Sequence, residues 1–240
     1  MKQYKLAIFD LDGTLLNTIG DLAVGCNHVL EAEGLPTHTY EQYCMMVGNG
    51  VKRLVERALP EELRTPEFIE QTRSRFVEFY YENIDTHTVP YNGIPELLAE
   101  LQSRGIRLAV ASNKFQAGVE RLVARFFPEV RFEMTLGGRD GVPAKPAPDI
   151  ALEILRHTGI DAADTLFIGD SSVDMQTAHA AGATAIGCAW GFRSREELAE
   201  NNADHIISHP SDLIALCDSI QLYTTNEVAR NGQPHSFFYF

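Results

Sequence analysis

The chain has 240 residues, of which 45% are hydrophobic and 22% are charged, the usual proportions for a globular protein of one or two domains. Its net charge of −13 argues against a surface for nucleic acid or anionic membrane, and no apolar run reaches the ~18 residues of a membrane span. The four cysteines stand far apart without a CxxC pair, which fits neither a zinc site nor a disulfide framework. Together with an N-terminus unlike a signal peptide, these features predict a reduced, cytoplasmic protein.

The first predicted strand, residues 5–9, is followed by a segment with helical patterns almost throughout, residues 17–88. The predicted helices are 19–33, a short helix opened by a capping box of Thr39 and Gln42, 51–59, and a helix from the Thr65–Pro66 cap to about Ile84. The glycines of "VGNG", residues 47–50, interrupt this pattern and predict a loop.

From residue 89 onward, apolar strands alternate with amphipathic helices. Predicted strands lie at 106–114, 131–138, 165–169, 183–190 and 203–208, and predicted helices at 95–104, 116–127, 147–158 and after Asp170. Strands that are almost uninterruptedly apolar indicate a parallel sheet covered on both faces. We therefore expect an α/β core built from residues 1–16 and 89–220, an all-helical domain inserted at 17–88, and a C-terminal tail at 221–240.

Polar residues collect where the predicted strands end. Asp10 and Asp12 follow the first strand, Ser112, Asn113 and Lys114 end the second, Lys145 lies in the loop after the third, and Asp170 and Asp174 follow the fourth. Ligands of open parallel sheets bind outside the carboxyl ends of the strands, so we expect these side chains to meet at one edge.

The chemistry of this set points to a metal and a phosphate. Several carboxylates at one point require a cation, and hard oxygen ligands suit Mg²⁺. The lysines, with main-chain N–H groups near Gly13 and Asn113, suit the oxygens of a phosphate group. One carboxylate can attack phosphorus as a nucleophile, and a second can protonate the leaving alkoxide and later activate water.

Four short motifs, "DLDGT", "ASNK", "KPAPD" and "GDSSVD", resemble in order and spacing those of the haloacid-dehalogenase superfamily of phosphatases. The resemblance implies a Rossmann-like parallel sheet with a helical cap inserted after the first motif. It also implies roles by position, with Asp10 as nucleophile and Asp12 as general acid and base. It makes Asp10, the main-chain carbonyl of Asp12, Asp170 and Asp174 the Mg²⁺ site, Ser112 and Lys145 catalytic partners, and Gly13, Thr14, Asn113 and Lys114 the phosphate pocket.

Within the superfamily, "DLDGTLLNTIGDL", "VGNGVKRLVERAL" and "WGFRSREEL" are similar to the phosphoglycolate phosphatase branch, up to about residue 218. This implies Mg²⁺-dependent hydrolysis of a small phosphate monoester, phosphoglycolate above others, through an aspartyl-phosphate intermediate. The expected partner is a small phosphorylated metabolite, and the expected state is a monomer or homodimer.

Other functions remain open at this stage. Dehalogenases and phosphonoacetaldehyde hydrolases lack the second acid, here Asp12, and Lys52 is one residue out of register for a Schiff base. Sugar-phosphate mutases carry a histidine where this chain has Leu22. A nucleotidase or pyrophosphatase, and a non-catalytic phosphate-binding regulatory protein, are also compatible with the motifs.

The inserted domain contains one flexible break, formed by Gly48, Asn49 and Gly50. One hypothesis is that this loop enters the active site and that Lys52 or Arg53 contacts a carboxylate of the substrate. The alternative, which is the more common case for such residues, is that both cations are solvated on the surface of the inserted domain. The aromatic end of the tail, "SFFYF", is expected either to pack on the core or on a partner subunit, or to remain a solvated, disordered tail.

Overall fold

The computed structural model of the chain describes residues 4–218, and the predicted tail at 221–240 lies outside these residues. The strands are β1 (Leu6–Phe9), β2 (Leu16–Asn17), β3 (Val89–Pro90), β4 (Arg107–Phe115), β5 (Phe132–Gly138), β6 (Thr165–Gly169), β7 (Thr184–Cys188) and β8 (His205–Ile207). The α-helices are α1 (Ile19–Ala32), α2 (Tyr40–Met46), α3 (Val51–Ala58), α4 (Pro66–Asn83), α5 (Ile94–Ser103), α6 (Gln116–Phe126), α7 (Asp149–Thr158), α8 (Ser172–Ala181) and α9 (Arg195–Glu200), and residues 210–218 are also helical. Among residues 4–218, no helix is long and apolar enough to cross a membrane.

Six strands form one parallel sheet in the order β5-β4-β1-β6-β7-β8, with β1 between β4 and β6. Alternate residues of β1 enter two separate apolar clusters because successive side chains of a strand point to opposite faces. Ala7 and Phe9 pack with residues of α5 and α6, whereas Leu6 and Ile8 pack with residues of α7 and α8. The predicted α/β class, a parallel sheet covered on both faces, is confirmed.

Helices α1 to α4 interrupt the alternation of strands and helices, and we call residues 17–88 the helical insertion. The predicted helix signals are present there. Thr39 and Gln42 form the capping box of α2, and the Thr65 side chain accepts a hydrogen bond from Phe68 N at the start of α4. The apolar interior of the insertion is continuous with the sheet face that contains Phe9, because Leu22, Tyr43, Leu54 and Phe76 belong to the same cluster.

The sequence did not predict how the two ends of the insertion are joined. Strands β2 and β3 pair antiparallel, with Leu16 opposite Pro90 and Asn17 opposite Val89. Asp21, at the start of α1, accepts hydrogen bonds from the main chain of His87 and Thr88 at 2.8 to 3.0 Å and from the Thr88 hydroxyl at 2.8 Å. The insertion therefore leaves and re-enters the core through one short ribbon.

Candidate active site

Side chains from four segments meet at the carboxyl edge of the sheet, around its central strand. Asp10 follows β1, Ser112 to Lys114 lie near the end of β4, Lys145 lies between β5 and α7, and Asp170 and Asp174 follow β6. Asp10, Ser112, Lys114, Lys145, Asp170 and Asp174 are all buried. Residues 112–114 lie within the last part of β4, where its register against β5 shifts between Ala111 and Phe115.

Three carboxylates form the acidic part of the site. Asp10, Asp170 and Asp174 each offer an oxygen within 4.8 Å of the other two, a spacing that suits a bound metal ion. Burial raises the pKa of Asp10 to about 7, an effect that Lys145 opposes and that Asp174 and Asp12 reinforce. Burial and the neighbouring carboxylates likewise raise the pKa of Asp170 well above its ordinary value. The donor set is all oxygen and negatively charged, which fits Mg²⁺.

Lys145 is the cation within this cluster. Its Nζ atom donates to Asp174 Oδ1 at 2.7 Å and to the carbonyl of Ala111 at 2.8 Å, and it lies 2.9 Å from Asp10 Oδ1 without hydrogen-bond alignment. Burial alone would lower the pKa of Lys145, but attraction to Asp10 and Asp174 outweighs this effect and raises the pKa. The lysine is thus held as a cation between two of the acids.

Asp174 already has partners on both of its carboxylate oxygens. Oδ1 accepts from Lys145, and Oδ2 accepts from Ser171 Oγ at 2.7 Å and from Ser171 N at 3.2 Å. The bonds to Ser171 form the capping box of α8. Asp174 therefore fixes Lys145 relative to the start of α8.

Two glycines allow the main chain to approach Asp170 closely. Gly13 has φ of +85°, and a Cβ atom there would lie 2.3 Å from Asp170 Oδ2. A Cβ atom at Gly191 would lie 2.2 Å from Asp170 Cβ. Only glycine leaves room for this carboxylate between the two loops.

Asp12 pairs with a different lysine from the one that lies beside Asp10. Lys114 Nζ donates to Asp12 Oδ1 at 2.8 Å and lies 4.9 Å from the centre of the Tyr80 ring on α4. Burial opposes the charged form of Lys114, yet Asp12 and Tyr80 together raise its pKa. Lys114, expected in the phosphate pocket, is thus bound to the second acid of the motif.

The other residues expected to bind phosphate are placed as follows. Ser112 Oγ accepts from Lys114 N at 3.3 Å. The Asn113 side chain bonds the main chain of Lys145 on both sides, accepting from its N at 2.9 Å and donating to its O at 3.0 Å. Thr14 is fully buried, and neither it nor Gly13 is among the residues that line the cavity described next.

A small cavity lies between this edge of the sheet and the helical insertion. The core contributes Asp10, Asp12, Ser112, Asn113, Lys114, Asp170, Ser171, Phe192 and Arg193, and the insertion contributes Leu22, Val47, Gly48, Gly50, Val51 and Leu54. Its volume is about 40 Å³, enough for roughly three water molecules. The insertion therefore forms the roof of the site.

Arg53 and Asn49 do not line this cavity, although the sequence raised the hypothesis that the glycine loop enters the site and that Arg53 contacts the substrate. They line a separate outer cavity of about 550 Å³ with Glu56, Arg57, Arg64 and Lys145. The Arg53 side chain is 62% exposed and pairs with Glu56 at 2.6 Å. Gly48 and Gly50 of the predicted loop line the first cavity, and α3 contributes Val51 and Leu54 to it rather than Lys52 or Arg53.

Sequence reasoning missed Arg193, a cation of the core that lines the enclosed cavity. It lies in the loop that follows β7, at the same edge of the sheet as the predicted site residues. The rule that directed attention to the other strand ends would have identified this loop as well.

Comparisons with known proteins agree with this geometry. A family model described as haloacid dehalogenase-like hydrolase matches residues 7–188. The chain is 32% identical over 214 residues to the phosphoglycolate phosphatase of Pectobacterium atrosepticum, covering 87% of this chain and 90% of that protein. It is 34% identical over 220 residues to the phosphoglycolate phosphatase of Mannheimia succiniciproducens, covering 89% and 98%.

Solved structures show the same similarity. One from Lactobacillus delbrueckii subsp. bulgaricus has a TM-score of 0.83 at 32% identity and covers 88% of this chain and 97% of its own. Another from Haemophilus somnus has a TM-score of 0.82 at 30% identity, with coverage of 90% and 99%.

Proposed function

The chain belongs to the haloacid dehalogenase-like hydrolase family, and from this premise we propose that it is a Mg²⁺-dependent phosphatase acting on a small phosphate monoester. Phosphoglycolate is the favoured substrate, since relatives that match most of the chain carry that activity in their names. The four cysteines are free thiols, which supports a reducing, cytoplasmic compartment.

The observation that carries the proposal is the pairing of each motif acid with its own buried lysine. Asp10 lies beside Lys145, and Asp12 is bound by Lys114. Two carboxylates two positions apart thus have different surroundings, which is what a nucleophile and a proton carrier require. A site that only binds phosphate has no need for a second acid.

Asp10, Asp170 and the main-chain carbonyl of Asp12 would hold Mg²⁺, with Asp174 supporting them. When bound, the ion supplies positive charge that offsets the carboxylates and the phosphate oxygens. The close fit of Gly13 and Gly191 around Asp170 keeps this carboxylate in place for that purpose.

In the first step, a carboxylate oxygen of Asp10 attacks phosphorus, and the bond from phosphorus to the ester oxygen breaks. Asp12 donates a proton to the departing oxygen, so the alcohol leaves neutral. In the second step, Asp12 takes a proton from water, which attacks the aspartyl phosphate, releases inorganic phosphate and restores Asp10. Lys145 balances the charge of Asp10, and the Ser112 hydroxyl donates a hydrogen bond to the phosphoryl group.

We propose that residues 17–88 act as a cap over a core of residues 1–16 and 89–220. The cavity lies between residues of the cap and residues of the core, so we expect the cap to move away when substrate enters and to return over it. Its return excludes water and strengthens the electrostatic interactions within the site.

Leu22 distinguishes this proposal from a sugar-phosphate mutase. The side chain at this position lines the enclosed cavity, where a mutase has a histidine to move a proton. Leucine has no such group, so the structure favours net hydrolysis over transfer between sugar positions.

The test is a panel of phosphate esters with Mg²⁺, ranked by kcat/KM. We expect phosphoglycolate to rank above a nucleoside monophosphate, pyrophosphate and glucose 1-phosphate, and excess EDTA to abolish turnover. Phosphate transfer between sugar positions with little free phosphate would instead identify a mutase. Full activity in EDTA, or no hydrolysis of any ester, would refute the proposal.

A further inference from the structure

Arg193 connects the core to the C-terminal end of α2 in the cap. Its guanidinium donates to three main-chain carbonyls, those of Cys44, Met45 at 3.2 Å and Val47 at 2.9 Å. The last carbonyls of a helix have no partner within the helix, and a cation there also complements the helix dipole. Here that cation comes from the other side of the domain boundary.

The neighbouring carbonyls of the same segment also accept hydrogen bonds from side chains. Asn113 of the core donates to Gly48 O at 3.0 Å, and Arg57 of the cap donates to Met46 O at 2.7 Å. We call residues 44–48 the latch segment. All five of its carbonyls are bound by side chains, and four of these bonds come from the core.

Arg193 is well placed to make these bonds strong. Its side chain is only 11% exposed, and its Nε atom lies 3.6 Å from Glu197 Oε2. Glu197 in turn accepts from Ser172 N at 3.1 Å, at the start of α8. The guanidinium is therefore oriented from the core side before it meets the cap.

Both core contacts with the latch segment lie next to charged groups of the site. The residue before Arg193, Phe192, donates its N–H to Asp170 Oδ2 at 2.7 Å. Asn113, which holds Gly48, also holds the main chain of Lys145. The two core segments that contact the latch segment are therefore also the segments that hold Asp170 and Lys145.

We propose that Arg193 is a positioning residue that holds the cap closed over the site and, through Phe192, keeps the Asp170 carboxylate in its working orientation. The proposal rests on the proposed phosphatase function for its catalytic consequence. The latch itself is a property of the protein without substrate. Arginine is required because its planar group reaches several carbonyls at once, whereas a lysine ammonium is a single point charge.

The test compares Arg193→Gln and Arg193→Lys with a matched control, Arg195→Gln. Arg195, the first residue of α9, is exposed. Within residues 4–218 its side chain makes one hydrogen bond, to the Ser208 hydroxyl at 3.3 Å. Hydrogen exchange of the metal-free protein is followed in residues 40–58 of the cap and in β1 and β6 of the core. We expect Arg193→Gln to speed exchange in residues 40–58 by roughly tenfold to a hundredfold, which corresponds to the loss of one or two charge-assisted hydrogen bonds. Exchange in the core strands should stay unchanged.

Turnover provides the second readout. Arg193→Gln should lower kcat/KM for phosphoglycolate by a factor similar to that seen in exchange, with a rise in KM. Arg193→Lys should recover part of both effects, and Arg195→Gln should match the wild type.

Unchanged exchange in residues 40–58 of Arg193→Gln, or faster exchange throughout the core, would overturn the latch. Faster cap exchange with unaltered kcat/KM would overturn its role in positioning. If the wild type hydrolyses no phosphate ester, the proposed function fails, and the exchange result alone decides on the latch. Should Arg193→Gln not fold, Arg193→Lys gives the same comparison with the charge kept.

Discussion

At the scale of single residues, Asp10 and Asp12 show how two acids can stand two positions apart at the end of a buried strand. Each has a lysine whose own side chain is almost completely buried, 1% exposed for Lys145 and 2% for Lys114. Because the two lysines come from different segments, the two carboxylates have different surroundings.

Replacing Asp10 by asparagine tests the nucleophile. The amide cannot attack phosphorus to form an acyl phosphate, so we expect turnover of phosphoglycolate to fall at least about a thousandfold. Activity and radiolabel from the phosphoryl group retained on the protein are the measurements, with circular dichroism to show that the variant folds. An Asp10→Asn enzyme with turnover near that of the wild type would contradict the mechanism.

Replacing Lys145 by methionine tests the buried charge balance. The substitution keeps an unbranched side chain only one atom shorter but leaves Asp10 and Asp174 without their cation, which should lower the free energy of unfolding by about 3–5 kcal/mol. Urea denaturation of the metal-free protein measures this change. Lys5→Met is the control, since the Lys5–Asp164 pair is 61% exposed on the lysine side and should contribute no more than about 1 kcal/mol. Equal losses in both variants would show that burial does not decide the effect.

The position of most site residues could be predicted from the sequence because a parallel sheet gathers its strand ends at one edge. Asp10, Lys145 and Asp170 needed only that rule and the order of the strands. The same rule reaches the loop of Arg193 after β7, but the contacts of Arg193 and of Arg53 could not be predicted, since they depend on how the cap packs on the core. No local pattern in either stretch encodes that packing.

At the scale of elements, the junction between cap and core is a ribbon of two short strands supported by Asp21. Helices α1 to α4 were predictable from apolar spacing and capping residues, signals that lie within each helix. Strands β2 and β3 have two residues each and are too short to show alternation, so only their pairing in space defines them. The change in sequence pattern near residues 16 and 89 marked the position of the junction but not its structure.

Asp21 provides a test of this junction. Its buried carboxylate accepts hydrogen bonds from the main chain of His87 and Thr88, and an asparagine would present one fewer acceptor oxygen and an amide N–H₂ group facing other donors. We expect Asp21→Asn to lower the free energy of unfolding by about 2–3 kcal/mol. The measurement is urea denaturation beside Asp85→Asn, whose carboxylate makes partly exposed ion pairs with Arg121 and Arg125 and should cost about 1 kcal/mol. If Asp85→Asn were the more damaging change, Asp21 would not be the support of the ribbon.

At the scale of the whole molecule, a strongly acidic chain encloses its site with three carboxylates at the base and cations around them. The net charge of −13 argues against polyanionic partners, yet it does not prevent binding of a small phosphate ester. The buried lysines, together with Mg²⁺ if it binds as proposed, set the electrostatic potential within the cavity. The electrostatic potential within the site therefore does not follow from the net charge of the whole chain.

Binding of Mg²⁺ should therefore stabilise the folded protein as a whole. At a concentration of a hundred times the dissociation constant, a ligand bound only by the native state adds about 2.7 kcal/mol, which for a chain of this length corresponds to a rise in Tm of about 5–10 °C. Differential scanning calorimetry with and without MgCl₂, at matched ionic strength, measures the shift. Asp170→Asn should lose most of it because a neutral amide replaces one of the three clustered carboxylates. Asp164→Asn should keep it, since Asp164 is a half-buried acid just before β6, at the opposite end of that strand from the site. A shift in Asp170→Asn equal to that of the wild type would show that the ion binds elsewhere and would remove the metal from this site.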